Sequence, residues 1–493
     1  MIARSRYQDA INELERAHGM RPGDPDVLFS LAVVSDRLGS PTKAADLYGA
    51  VLHRRPDAVE AANNLGNVLV AMGEYEAAVQ TLRAAIEREP DVPELWLSLG
   101  KAQAATADRA NARIFYQQAL SLKPKYGEAY ANLAELSCDE GNPREAMVHF
   151  EKAMALLPKD PQVRFNFAVT LLALGDLERG WAEYECRLKP GMSRAIDYRH
   201  GLNRWRGEPL DGRTVLVCAE QGLGDQVLFA SCLPDLIART GHCIIECEAR
   251  LVALFEQSFP EATVHAYEGG KTDGRWVFSY DWLSDVPPPD CYIELGGLPL
   301  LLRRNISDFP RPNKYLKAKA NVSDEWRVKL GALGDGLKVG ICWRSMLMTA
   351  ERRKDYSDLD DWGPILSQKN ACFVNLQYDE CATELDRARK KFGIEIHEFP
   401  DLDQMNDFPG VAGLMSALDL VITAPTMVSG LAGALGVPTL RLMRMREWTT
   451  LGSDFEPFQP SVTPLFPDTP GDWDAVLEKA AAKLAHLVGS PGR

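Results

Sequence analysis

Three stretches of this chain place chemistry-bearing residues where a strand-like run gives way to a loop. In the first, the apolar run RTVLVCAE is followed by QGLGD, so Gly222 and Gly224 make a tight turn and Asp225 opens a helix. Spacing alone explains Asp225 as a helix N-cap; a carboxylate in a polar cleft can equally orient or deprotonate a hydroxyl. The G-x-G lacks the third glycine of the dinucleotide fingerprint, which leaves NAD little support. The second stretch, CWRSMLMTAERRKDYSDLDDW (342–362), gathers Arg344, Arg352, Arg353 and Lys354 after a strand end. It is either a solvated basic loop or a seat for phosphate. The third, TAPTMVSG (423–430), precedes a helix. Unpaired amides at Thr426, Met427, Val428 and Ser429, with hydroxyls from Thr426 and Ser429, would suit a phosphate there.

The elements that must hold these loops alternate. RTVLVCAE, HCIIEC (242–247) and TVHAY (263–267) read as strands with helix-like runs between them, and the pattern weakens over 268–312. It restarts after Gly336 with LKVGICW, ACFVNLQ, GIEIHEF, DLVITA and the closing strand VPTLRLM, interleaved with helices and followed by WDAVLEKAAAKLAHLV. Strands separated by helices predict parallel sheets covered on both faces, with ligands at their carboxyl ends. Two doubly wound units follow, 213–335 and 336–493, with 186–212 as a linker.

The first 185 residues are periodic. Pro22, Pro56, Pro90, Pro124 and Pro158 fall 34 residues apart, in phase with Ala10, Ala44, Ala78, Ala112, Ala146 and Gly180. Gly39, Gly73, Ala107, Gly141 and Gly175 form a further register, and Leu31, Leu65, Leu99, Leu133 and Phe167 another. Small residues let paired helices approach, glycine permits left-handed turns, and proline ends each second helix. This pattern resembles the tetratricopeptide (TPR) repeat, which stacks into an α-solenoid with a concave face for extended peptides. A lone second-position helix precedes the first copy, so the chain is expected to begin mid-repeat. Ser30, Asn64, Ser98, Asn132 and Asn166 occupy one position on successive first helices. They are either tolerated small polar groups or amides able to pair with a peptide backbone.

Composition narrows the function class. The 493 residues carry 55 Lys+Arg against 69 Asp+Glu, a net charge of −14, which argues against a general nucleic-acid binder. No window has the roughly 18 apolar residues of a membrane span, and MIARSRYQDAINELERA lacks a signal-peptide core, so a cytoplasmic protein is expected. The ten cysteines contain no C-x-x-C pair and are expected to be free and buried. The eight histidines are scattered, and no metal site is expected.

AEQGLGDQVLFASCLPDL (219–236), GDLERGWAEYECRL (175–188) and SALDLVITAPTMVSGLAGALGVP (416–438) resemble segments of bacterial proteins that fuse TPR repeats to a heptosyltransferase-like glycosyltransferase domain. The resemblance covers nearly the whole chain. It implies a GT-B architecture, with the acceptor at 213–335 and a nucleotide-sugar co-substrate at 336–493, and no cofactor. It implies Asp225 as the base toward an acceptor hydroxyl and Lys354 as the cation offsetting the departing phosphate. Donor contacts would come from Gln221, Gly222, Gly224, Trp343, Arg344, Ser345, Arg352, Arg353, Gln377, Thr426, Met427, Val428 and Ser429. The chain departs from the family at Pro425, where Asp is usual, and at Gly430, where His is usual. The polar ladder of Asn64, Ser98, Asn132 and Asn166 resembles the asparagine ladder of O-GlcNAc transferase, which implies a protein acceptor. Flagellin is the candidate acceptor, and a CMP-linked nonulosonic acid, bearing one phosphate, the candidate donor. The rival expectations are a non-catalytic TPR scaffold and a transferase acting on lipopolysaccharide.

Overall fold

The computed structural model describes residues 2–192, 195–272, 275–310 and 314–489. The chain divides into two compact units, Met1–Asn166 and Phe167–Arg493.

The first unit is a stack of helix pairs. α1 (Ile2–Met20) precedes α2 (Pro25–Arg37) and α3 (Pro41–Arg54), α4 (Val59–Met72) and α5 (Tyr75–Arg88), α6 (Pro93–Ala105) and α7 (Arg109–Leu122), and α8 (Gly127–Asp139) and α9 (Pro143–Leu156). The registers explain the pairing. Ala44, Ala78, Ala112 and Ala146 are fully buried, because each sits where two helices cross closely. A side chain added at Gly100 would meet the Tyr116 ring at 2.5 Å, so that crossing has room for hydrogen only. The turn inside each pair is left-handed: φ is +79° at Gly39, +82° at Gly73 and +80° at Gly141. Ala107 holds the same conformation at φ +63° with a Cβ that disfavours it.

The unit boundary falls inside α10 (Pro161–Ala173), and the final repeat helix α11 (Leu177–Tyr184) belongs to the second unit. Here one parallel sheet contains β2 (Thr214–Cys218), β3 (His242–Cys247), β4 (Thr263–Ala266) and β7 (Cys291–Glu294), in the order β4-β3-β2-β7. A second, also parallel, contains β8 (Leu337–Cys342), β9 (Ala371–Asn375), β10 (Ile396–His397), β11 (Leu420–Thr423), β12 (Thr439–Leu442) and β13 (Val462–Leu465). Its order, β10-β9-β8-β11-β12-β13, is the doubly wound one. Every residue of β11 and β12 is buried, so both faces of this sheet are covered.

Three expectations are corrected. The segment 186–212 is not a free linker. It contains the 3₁₀ turn Glu185–Leu188 and strand β1 (Ile196–Tyr198), which pairs in parallel with β6 (Arg275–Ser279); Ser193 and Arg194 lie outside the described residues. β6 also pairs antiparallel with β5 (Glu268–Thr272), so a small third sheet occupies the region where alternation weakens. VPTLRLM is not the last strand, because β13 pairs beyond it despite Pro464. Among the described residues no helix is long and apolar enough to cross a membrane. The cysteines are free, and all but Cys138 and Cys372 are buried.

Replacing Ala107 with Gly relieves the left-handed Cβ and is expected to stabilise the repeats by about 0.5–1 kcal/mol. Chemical denaturation followed by circular dichroism would show it; a loss of stability would contradict the turn geometry.

Candidate functional site

At the carboxyl end of β2 the chain turns sharply. Gln221 takes a left-handed conformation (φ +60°), rare for a residue with a side chain. Gly222 is the N-cap of helix α12 (Leu223–Phe229). Asp225 is therefore not the N-cap expected from spacing. It sits one turn in, and its Oδ2 accepts the Gly222 N–H at 3.1 Å, so the carboxylate is held at the lip of the turn. Gly224 leaves open space where a Cβ would lie.

The G-W-x-x-Y-E-x-R segment clamps this turn from below. A Cβ on Gly180 would strike Leu172 at 2.6 Å, which lets α11 lie close to its neighbour. Trp181 is buried and donates through Nε1 to the Arg303 carbonyl at 3.1 Å. The Tyr184 hydroxyl lies 3.0 Å from Gln221 Nε2 and 3.2 Å from its Oε1. Arg187 forks onto Glu220, with Nη2–Oε1 2.9 Å and Nε–Oε2 3.0 Å, and both side chains are buried. Glu220 Oε1 also accepts the Gly296 N–H at 2.6 Å, tying the end of β2 to the end of β7. Glu185 links Arg187 (2.9 Å) to Arg204 (2.6 Å), which reaches Glu294 at 2.6 Å.

Behind the turn lies Glu246 on β3, wholly buried. Its Oε2 accepts from Ala219 N–H at 3.0 Å and Tyr280 hydroxyl at 3.1 Å, while Oε1 has no partner among the described residues. Burial pushes its carboxyl up to about 8, so it is protonated at neutral pH.

The loops of the second sheet carry fewer open groups than the sequence promises. Trp343 is a core residue, 1% exposed, with Nε1 donating to Glu384 at 2.9 Å, and is corrected from pocket wall to core. Arg344 is likewise corrected, since its guanidinium bonds Asp379 and Glu384, each at 2.5 Å. Gln377 is buried and braces the same loop through the Arg344 carbonyl (3.0 Å) and Asp379 (2.7 Å). Ser345 is nearly buried, and its Oγ accepts the Leu347 N–H at 3.3 Å. Arg352, Arg353 and Lys354 are exposed on and just after a one-turn helix, Ala350–Arg353. Thr426 caps the Met427–Ala434 helix through the Val428 N–H. Ser429 points inward and accepts from Arg441 at 2.8 Å, so its hydroxyl is withdrawn from any ligand. Thr426 N–H donates to the Ala424 carbonyl at 2.8 Å and Val428 N–H to Thr426 Oγ at 3.3 Å, so the expected phosphate seat is reduced to the amides of Met427 and Ser429.

Met427 and Val428 border a cavity of about 180 Å³ outside the carboxyl ends of β8, β9 and β11. Leu223 and Arg250 reach it from the first sheet; Met346, Tyr378, Gln404, Met405, Phe408, Met415, Met427 and Val428 line it from the second. Arg250 donates to Met405 O at 3.1 Å and to Glu248 at 3.0 Å. Sequence reading missed Arg250, Gln404 and Met405, which sit in unremarkable helix-like and loop runs; the only signal was the position of Arg250 just past a strand end. Gly430 faces α12, where a Cβ would meet only Val227 at 3.9 Å, so nothing there forces a glycine.

In the repeats, Asn64, Asn132 and Asn166 are half-buried. Asn64 donates to Tyr48 Oη (3.3 Å), Asn132 to the Glu128 carbonyl (2.7 Å), and Asn166 to Glu135 (2.5 Å). Ser98 is only 3% exposed and donates to Asn63 at 2.7 Å, so it is corrected from groove residue to internal tie.

Comparison with known proteins matches the repeats to family models and most of the chain to one relative. Tetratricopeptide-repeat families match residues 2–59, 93–126, and 37–104 together with 137–180, so the chain carries TPR repeats. The chain is also 34% identical over 331 residues to Protein FlbA of Caulobacter vibrioides, covering 66% of this chain and 56% of that one. It thus spans little more than half the length of that relative. Among solved structures it is similar to a thermophilic TPR protein of Thermus thermophilus (30% identity; 35% of this chain and 93% of that one; TM-score 0.32). It is similar also to PilW, a type IV pilus biogenesis factor (21%; 37% and 84%; TM-score 0.34).

The buried acid gives a pH test. Glu246 is protonated in the folded state up to about pH 8 but ionises near 4.5 when unfolded. The stability it contributes is full below about pH 4.5 and is lost as pH rises toward 8. Glu246→Gln mimics the neutral acid, so its stability relative to wild type should rise between pH 5 and pH 8.5 in denaturant titrations. A pH-independent difference would mean that Glu246 is charged in the fold.

Proposed function

We propose that the protein is a glycosyltransferase of GT-B type that moves a sugar from a nucleotide-sugar to a hydroxyl on a protein held by its TPR repeats. One observation carries the reading. Leu223, from the turn that holds Asp225, and Met427 and Val428, from the start of the Met427–Ala434 helix, line one cavity at the carboxyl ends of two parallel sheets. Asp225 would accept the acceptor proton as the sugar migrates, and the Met427 and Ser429 amides would hold phosphate. Lys354, with Arg352 and Arg353, would offset the leaving charge. Among the described residues Arg250 is the one guanidinium bordering the cavity, and Arg344 is neutralised by carboxylates, which suits a donor with one phosphate better than two. That favours a CMP-sugar. The half-buried Asn64, Asn132 and Asn166 would give the peptide amide partners along the solenoid.

The withdrawal of Trp343, Arg344 and Ser429 into the fold favours a second reading, a TPR scaffold whose transferase unit no longer turns over. Thermal-shift measurements with CMP-, UDP-, ADP- and GDP-sugars separate the two. The transferase reading expects a CMP-sugar to raise the melting temperature, and the scaffold reading expects none to do so. Asp225→Asn retains an acceptor for the Gly222 N–H and should keep the fold and donor binding. Transfer should fall by about 100-fold or more, the usual contribution of a positioned base. Undiminished transfer would leave Asp225 as a helix-start residue only.

A further inference from the structure

The turn that carries Asp225 has a cavity on each side. Leu223 borders the methionine-rich one; Gln221 and Gln226, from the same turn and helix, border a second of about 210 Å³. The small sheet β1-β6-β5 contributes Ile196, Trp276 and Phe278 to this second cavity, and Tyr267 follows β4 into it. Tyr267 and Phe278 stack face to face, with centroids 4.6 Å apart and planes 8° apart, and make a rigid aromatic wall. Trp276 is half-buried beside them.

The polar lining is directional. Gln226 is 2% exposed, and its Oε1 accepts the Glu248 N–H at 2.9 Å, which fixes Nε2 as the other end of the amide. No bond to that Nε2 is found among the described residues, so an amide donor at the cavity has no protein acceptor there. A ligand oxygen can accept from it.

We propose that this cavity is a subsite for a single pyranose ring. A pyranose presents flat C–H faces that pack on aromatic side chains, and a rim of oxygens that accept from amide N–H groups. The volume is enough for one sugar ring. As a role in sugar transfer the subsite rests on the transferase reading above, but the binding itself does not. The ring comes either from the nucleotide-sugar or from a sugar already on the acceptor.

The test uses the full chain, isothermal titration calorimetry and saturation-transfer NMR. The probes are the methyl glycosides of glucose, galactose, mannose, N-acetylglucosamine and N-acetylneuraminic acid, with CMP and CMP-N-acetylneuraminic acid beside them. At least one methyl glycoside should bind with a roughly millimolar Kd. Gln226→Glu keeps the oxygen that receives the Glu248 N–H while removing the donor, and should weaken that glycoside about tenfold, the worth of one good hydrogen bond. Trp276→Leu should weaken it similarly, and a melting curve shows whether that variant is folded. CMP should bind all three proteins alike. If the variants also weaken the CMP-sugar, the ring is the donor's; if they leave it unchanged, the ring belongs to the acceptor. The proposal is overturned if no glycoside binds, or if both folded variants bind it as wild type does. If that happens while the CMP-sugar still binds, only the subsite fails. Glycoside binding lost in the variants, with no nucleotide-sugar binding to any protein, would instead reject the transferase reading and keep the subsite.

Discussion

Arg187 and Glu220 are oppositely charged, buried and joined by a fork of hydrogen bonds, and the candidate site is built on that pair. Removing two charges from water is expensive, and the cost is recovered here only because every contact is closely made. Glu220 uses one oxygen twice, for Arg187 and for the Gly296 N–H, so a single carboxylate fixes the ends of β2 and β7 together. Gln221 can then hold its left-handed conformation, tied to Tyr184, and the chain re-enters a helix with Asp225 at its lip. Loss of Arg187 would leave Glu220 buried and uncompensated, a defect of about 3–5 kcal/mol in comparable pairs. The motif G-W-x-x-Y-E-x-R thus has a physical meaning: Gly180 lets α11 approach, Trp181 anchors it to the Arg303 carbonyl, and Tyr184, Glu185 and Arg187 hold the turn or its buried charges.

The two sheets treat their chemistry-bearing residues differently. On the first, the polar groups at strand ends remain at a cavity edge. On the second, the groups that look most reactive in the sequence are consumed as braces. Arg344 meets Asp379 and Glu384, Ser429 meets Arg441, and Gln377 closes the loop between them. What is left around the cavity is largely apolar and includes four methionines, which adapt to a ligand's shape without binding its charge.

Much of this was legible in the sequence, and the rest was hidden for definite reasons. The repeat registers are local, so Ala44, Ala78, Ala112 and Ala146 announce their burial, and Gly39, Gly73 and Gly141 their left-handed turns. Most of the parallel strands show as apolar runs because both faces are covered. β1 was missed because its three residues gain meaning only from a partner, Trp276–Phe278, far along the chain. β13 was missed because Pro464 interrupts a run of four. The loop basicity around Arg344 was legible, but its neutralisation by side chains 35 and 40 residues later was not. Asp225 was found at the right turn with the wrong local role, since spacing does not distinguish the cap from a residue that reaches back to it.

Hydrogen exchange on the full chain, wild type against Arg187→Met, tests the dependence of the turn on the buried pair. Amides of residues 219–229 should lose protection by at least about tenfold, while those of α4–α9 and of β11 and β12 stay as they are. Unchanged protection across 219–229 in a folded Arg187→Met protein would contradict the account, and would leave the turn held by its own backbone rather than by the charge pair beneath it.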